Sequence, residues 1–313
     1  MAIKQNQTVQ LDASDFPVSV AVGRDEAGEL KYEEFEHNLE YYLRMLPSDK
    51  YNPELSHFLI SMCNAIGDLE WMKTSLDNMQ FQTEGLRSNY NMEKLPLAYC
   101  IDQKFLSDDE RVILVVLRGS SEDLREWDSN LNVIPDHDGE HSGFSGTAGI
   151  IYDTIIEYAG NEYDLSKTIF VITGHSRGAA VGNIVAAKLA DQRIPQNHIF
   201  CYCFACPDTV FLSDDDVESY SCVFTINNVN DFVSWLPWLY WRESGTNYGF
   251  SADTHWNKYG TSYWFSTTSW EECHAGLDNV NTIHPQDLYL DYLRQEPNSV
   301  IFKGRFEAEK YLE

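Results

Sequence analysis

The chain has 313 residues, 43% of them apolar and 13% aromatic, enough to bury the core of one large α/β domain or two small ones. Its 49 Asp and Glu against 22 Lys and Arg leave a formal charge of −27, which repels phosphate backbones and acidic bilayers alike and speaks against nucleic acid or an anionic membrane as partner. No apolar run nears the roughly eighteen residues of a spanning helix, so no integral membrane segment is expected.

The opening MAIKQNQTVQLDASDF has one lysine with no apolar stretch behind it, so no secretory signal is expected and the protein is placed in the cytoplasm, a reading that leaves non-classical release open. Seven cysteines (Cys63, Cys100, Cys201, Cys203, Cys206, Cys222 and Cys273) cannot all pair within one chain and lie scattered through apolar stretches, as reduced thiols do. Residues 1 to about 30 are polar and aperiodic, a tail or an edge strand. Phe35, Leu39, Tyr42, Leu43 and Leu46, then Leu55, Phe58, Leu59, Met62 and Ile66, recur at helical spacing and predict two N-terminal helices over about 30–70.

LAYCID (97–102) and RVILVVLRG (111–119) read as neighbouring strands. GTAGIIYDTIIEYAG then reads as a helix, KTIFVIT as a buried strand, AAVGNIVAAKLADQ as a helix, and HIFCYCFAC and SCVFTINNV as strands. That alternation predicts a parallel sheet with helices on both faces. Beyond residue 231, Trp235, Trp238, Trp241, Trp256, Trp264 and Trp270 crowd a Gly-, Ser-, Thr- and Asn-rich stretch, read over about 235–275 as a loop insert of one 1–313 domain because no linker sets it apart.

The most informative stretch is VITGHSRGAA (171–180). A nucleophile elbow needs a strand, a sharp turn with small residues two before and two after the serine, and a helix. Gly174 and Gly178 flank Ser176 at those positions, and Val181, Ile184, Val185 and Leu189 give the following segment an apolar face. The competing reading is an ordinary Ser/Gly turn. A serine hydroxyl is a weak nucleophile, so the elbow demands a histidine to take its proton and a carboxylate to orient that histidine, both later in the chain.

With VILVVLRGSS, EHSGF, CFACPD, NNVNDFVSWLP and the YNPELSHFLISMCNAI helix in order around the elbow, the chain resembles the class 3, fungal-lipase-like branch of the α/β-hydrolases, from about Tyr51 to Leu293 and most specifically across 112–240. The resemblance implies an α/β-hydrolase fold and a serine carboxylic-ester hydrolase working through an acyl-enzyme. It implies Asp231 as the acid, a position that also falls beyond an apolar strand, at the carboxyl end of the sheet where ligands bind. Asp208 is the rival, while Asp214, Asp215 and Asp216 read as a solvated charge run. His284, before a helical pattern with Leu288, Leu290 and Leu293, resembles the family's terminal histidine; His274 competes, and His255 lies in the Trp-rich insert. One oxyanion donor is the N–H of Arg177, the residue after the nucleophile; the other, by resemblance, is Ser120. Arg177 replaces a commonly hydrophobic residue, and Asn130 stands where relatives often carry an aspartate.

Leu124, Trp127 and Leu131 form a narrow apolar stripe on a short acidic segment, which is a lid by resemblance or else a permanently packed surface helix. The negative surface favours soluble esters or neutral acylglycerols as substrate, with the tryptophans lining an acyl groove or simply packing. No cofactor and no metal are expected: Cys201 and Cys203 fall on one face of an apolar strand and Cys206 on the other, and no matching Cys/His pair stands at zinc-like spacing. Two other functional readings remain at this stage, an acyltransferase or peptidase with the same triad and a non-catalytic acidic interaction protein. Oligomeric state is not legible.

Overall fold

The structure is a computed structural model, and it describes residues 17–91, 95, 97–120, 134–160, 165–192, 194–246, 248–267, 283–295, 302–305 and 308. In chain order the strands and helices are β1 (Val18–Arg24), β2 (Leu30–Phe35), α1 (Leu39–Met45), α2 (Pro53–Ala65), α3 (Leu69–Asn78), β3 (Arg87–Asn89), β4 (Tyr99–Phe105), β5 (Arg111–Leu117), α4 (Ser142–Ala159), β6 (Thr168–His175), α5 (Arg177–Asp191) and β7 (Ile199–Phe204). They continue with β8 (Val210–Leu212), α6 (Asp214–Glu218), β9 (Val223–Asn228), α7 (Trp238–Ser244), β10 (His255–Asn257), β11 (Thr261–Phe265), α8 (Gln286–Gln295) and β12 (Phe302–Lys303). Eight strands form the central sheet in the order β12-β11-β9-β7-β6-β5-β4-β3. The five from β11 to β5 are mutually parallel, and β4, β3 and β12 add antiparallel edges. The expected α/β fold, mostly parallel with helices on both faces, is what the chain adopts.

Strand β5 shows why the apolar runs are continuous. Side chains alternate across a strand, so a sheet covered on both faces needs apolar residues at every position. Val112, Leu114 and Val116 enter one core with Leu55, Phe58, Leu59 and Met62 of α2 and with Tyr289 and Leu293 of α8. Ile113, Val115 and Leu117 enter the other, with Ile151 and Ile155 of α4 and Val181, Ile184 and Val185 of α5. Parallel strands emerge together at one edge. The turns after β5, β6 and β9 are therefore neighbours in space.

Two N-terminal expectations change. Residues 30–35 form a strand paired antiparallel with β1, not the first turns of a helix. Helix α1 begins only after Asn38, whose side chain accepts from the Tyr41 N–H at 3.1 Å and caps the first turn. In the Trp-rich stretch, Trp264 lies on β11, a strand of the central sheet, so the segment is not all loop. Trp235, Trp238, Trp256 and Trp264 are buried in one cluster, with Trp241 packed against it, while Trp270 lies outside the described residues. No described helix is long and apolar enough to cross a membrane, and six of the cysteines are free and buried.

Asp102 on β4 carries a stability prediction. It is fully buried, takes only the Gln103 N–H (2.8 Å) and the Tyr158 hydroxyl (3.3 Å) on one oxygen, and leaves the other without a partner. Burial raises its pKa to about 6. A raised carboxyl favours the fold while protonated and opposes it as pH climbs through that value. Asp102→Asn is therefore expected to stabilise by on the order of 1–3 kcal/mol at pH 8, with the advantage shrinking toward zero near pH 4, in denaturant titrations across that range.

Candidate active site

Ser176 sits at the corner between β6 and α5 with φ 56° and ψ −124°, a conformation that side-chain-bearing residues rarely adopt. The surroundings impose it. A Cβ at Gly174 would lie 2.5 Å from the backbone of Gly178, and one at Gly178 would lie 2.3 Å from the Leu117 oxygen, so both flanking positions admit glycine alone. The Ser176 N–H donates to Phe204 O on β7 at 2.9 Å, which ties the corner to the sheet.

Asp231 follows β9 and is 1% exposed. One carboxylate oxygen accepts the Val233 N–H at 3.0 Å, starting the turn Phe232–Trp235. The other meets His284 Nδ1 at 2.8 Å and accepts the Tyr289 hydroxyl at 2.7 Å. A carboxylate can only accept, so Nδ1 bears the hydrogen and Nε2 offers its lone pair. That lone pair faces Ser176 Oγ at 2.8 Å. Three residues from distant parts of the chain form an unbroken hydrogen-bonded line.

Tyr289 and His175 were not singled out by sequence reasoning. Tyr289 is fully buried on α8, accepts the Asn228 N–H at 3.0 Å, and so bridges the end of β9 to the Asp231 carboxylate. Burial raises its phenol well above the usual range, which keeps it a donor. Its signal in the sequence was one polar-tipped aromatic on the buried face of the helix after His284. His175, next to Ser176, places Nε2 2.9 Å from the His284 carbonyl oxygen.

Of the oxyanion candidates, Arg177 is the first residue of α5 and is 3% exposed; the amides of a helix's first turn look out of the helix toward the corner. Ser120 follows Gly119, where an added Cβ would come within 3.2 Å of the Ser176 side chain, and its hydroxyl oxygen is sealed from solvent with no hydrogen-bond partner. A buried hydroxyl without a partner beside the Ser176 corner can donate to an acceptor placed there. The lid candidates Leu124, Trp127 and Leu131, together with Asn130 and His274, lie outside the described residues.

The rival groups have other occupations. Asp208 pairs with Lys258 at 2.5 Å and with Arg305 inside the protein. His255 pairs with Asp214 at 3.3 Å. Among the described residues one cluster has metal-ligand types within reach of one another, Asp136, His137 and Asp138, on a turn outside the Ser176 line and largely exposed.

Residues 114–241 match the family described as Lipase (class 3). No curated protein matches the chain significantly. Solved structures similar to it include Rhizomucor miehei lipase in its propeptide complex (18% identity, 67% of this chain and 67% of that one, TM-score 0.44) and a mutant form of MDLA from Penicillium cyclopium (18%, 77% and 95%, TM-score 0.47). A third is a lipase from Rhizopus microsporus var. chinensis (12% identity, 68% and 73%, TM-score 0.40). The part of the chain that matches the class 3 lipase family, residues 114–241, is the part that holds Ser176, its elbow and Asp231.

Proposed function

We propose that the protein hydrolyses carboxylic esters through a covalent acyl-enzyme, with Ser176 as nucleophile, His284 as general base and acid, and Asp231 as the group that orients the imidazole. The observation that carries this reading is the line from Ser176 Oγ through His284 to Asp231, both steps 2.8 Å, starting on a strained corner. Ser176 Oγ attacks the ester carbonyl while His284 Nε2 takes its proton, and the Asp231 carboxylate stabilises the imidazolium that results. The oxygen of the tetrahedral intermediate takes hydrogen bonds from the Arg177 N–H and from Ser120, donors fixed before the charge develops. His284 then protonates the leaving alcohol. Water, deprotonated by the same imidazole, releases the acid and restores the serine.

Neutral acylglycerols or soluble esters fit as substrates, because the family acts on ester bonds and a chain with 49 acidic against 22 basic residues repels acidic lipid aggregates. The direct test is a fluorophosphonate probe on the folded chain. Labelling is expected on Ser176 and nowhere else, alongside turnover of p-nitrophenyl esters that varies with acyl length and exceeds that of matched amides. Folded protein that neither reacts with the probe nor turns over any ester would end the proposal.

A further inference from the structure

We propose that His175 is a positioning residue, whose Nε2–H grips the carbonyl oxygen of His284 and so fixes the backbone from which the proton-carrying imidazole reaches Ser176 and Asp231. It rests on the triad reading above. The contact is 2.9 Å and joins residues 109 positions apart. A carbonyl only accepts, so the His175 nitrogen facing it is the protonated one. The Leu288 N–H bonds Pro285 O at 3.1 Å, one residue past His284, and the His284 carbonyl has a partner outside α8. His175 supplies that partner from the last position of β6, the residue that leads directly into the nucleophile.

Packing makes the grip specific. The His175 ring lies 4.9 Å from the His284 ring and 5.7 Å, edge-on, from Tyr289, so it is wedged against both residues of that segment that reach Asp231. On the other side its Nδ1 faces Gly119, where an added Cβ would approach to 3.3 Å, so one imidazole touches the exits of β5 and β6 and the base-bearing segment together. Burial holds His175 well below the usual histidine range. Staying neutral, it neither competes with His284 for the serine proton nor repels the imidazolium formed during turnover.

The test compares three variants of the full chain. Leu at 175 has no donor, the amide of Gln reaches the Nε2 position, and the amide of Asn reaches only the Nδ1 position. His175→Leu and His175→Asn are expected to lower kcat by about ten- to a hundredfold with KM nearly unchanged, the size of effect a small misplacement of a reacting group produces. His175→Gln is expected to keep kcat within about threefold of the parent, and fluorophosphonate labelling of Ser176 should slow in the same order. Parent-like kcat in folded His175→Leu overturns the proposal. So does a Gln variant as impaired as Asn, and that comparison decides alone if the Leu variant does not fold. Failure of the triad reading shows separately, as ester hydrolysis that survives Ser176→Ala.

Discussion

Ser176→Ala is expected to lower kcat for ester hydrolysis by about 10⁴- to 10⁶-fold while leaving the fold intact, because the substitution removes the only atom of this residue that touches the reaction. The backbone at 176 has φ 56°, a strain already present in the parent, and alanine keeps the Cβ that the corner accommodates, so thermal stability should shift little. KM should change modestly, since the hydroxyl contributes to the transition state more than to ground-state binding. His284→Ala in the Ser176→Ala background should add almost nothing, as the two act as one unit through their 2.8 Å contact. Initial rates on one p-nitrophenyl ester for the parent, both single variants and the double variant would measure this. Additive losses, or a Ser176→Ala protein within tenfold of the parent, would contradict the assignment.

The parts of this site that were legible in the sequence are those written in local pattern. The elbow announces itself because Gly174 and Gly178 are sterically obligatory, with backbone atoms 2.5 and 2.3 Å from where a Cβ would go. Strands β5, β6, β7 and β9 are legible as unbroken apolar runs because both faces of the sheet are covered. Asp231 and His284 follow from chain order and resemblance, and the fold joins both to Ser176 by hydrogen bonds. What stayed hidden is tertiary. Nothing near Tyr289 in sequence says that its hydroxyl meets a carboxylate 58 residues earlier, or that His175 meets a carbonyl 109 residues later. The strand at 30–35 was misread for a local reason: Phe35 falls in phase with Leu39, Tyr42, Leu43 and Leu46, and only the Asn38 cap marks where the helix starts. Asp208 looked like an acid for the site because it follows a sheet strand, and only the fold reveals the two cations waiting for it.

Those cations make Asp208→Asn the most damaging substitution expected outside the Ser176–His284–Asp231 line. Asp208 and Lys258 are both fully buried, with Lys258 Nζ 2.5 Å from Asp208 Oδ1 and 2.9 Å from Ser234 O. Arg305, 8% exposed, adds a second cation to the same oxygen and also donates to Trp256 O. Burial drops the Lys258 pKa to about 8 against the opposing pull of Asp208. Replacing the carboxylate by an amide strips two desolvated cations of the counter-charge they share, for which a loss of roughly 3–5 kcal/mol and a Tm lower by several degrees are expected. The pH dependence has a definite sign. A lysine whose folded pKa is depressed binds fewer protons folded than unfolded, so stability rises with pH between about 8 and its ordinary value of about 10.4, and in Asp208→Asn the rise should start lower and be larger. Lys258→Met in that background should recover part of the loss, since it removes one of the stranded charges. Activity should suffer too: the Asp208 N–H holds Leu236 O at 2.6 Å and Lys258 holds Ser234 O, both in the later half of the turn that begins at Asp231, so losing the cluster loosens the carboxylate hydrogen-bonded to His284. Denaturant melts from pH 7 to 10, with kcat measured well below each variant's Tm, separate the two effects; an Asp208→Asn protein as stable as the parent at pH 7 would mean the cluster is balanced without the Asp208 carboxylate.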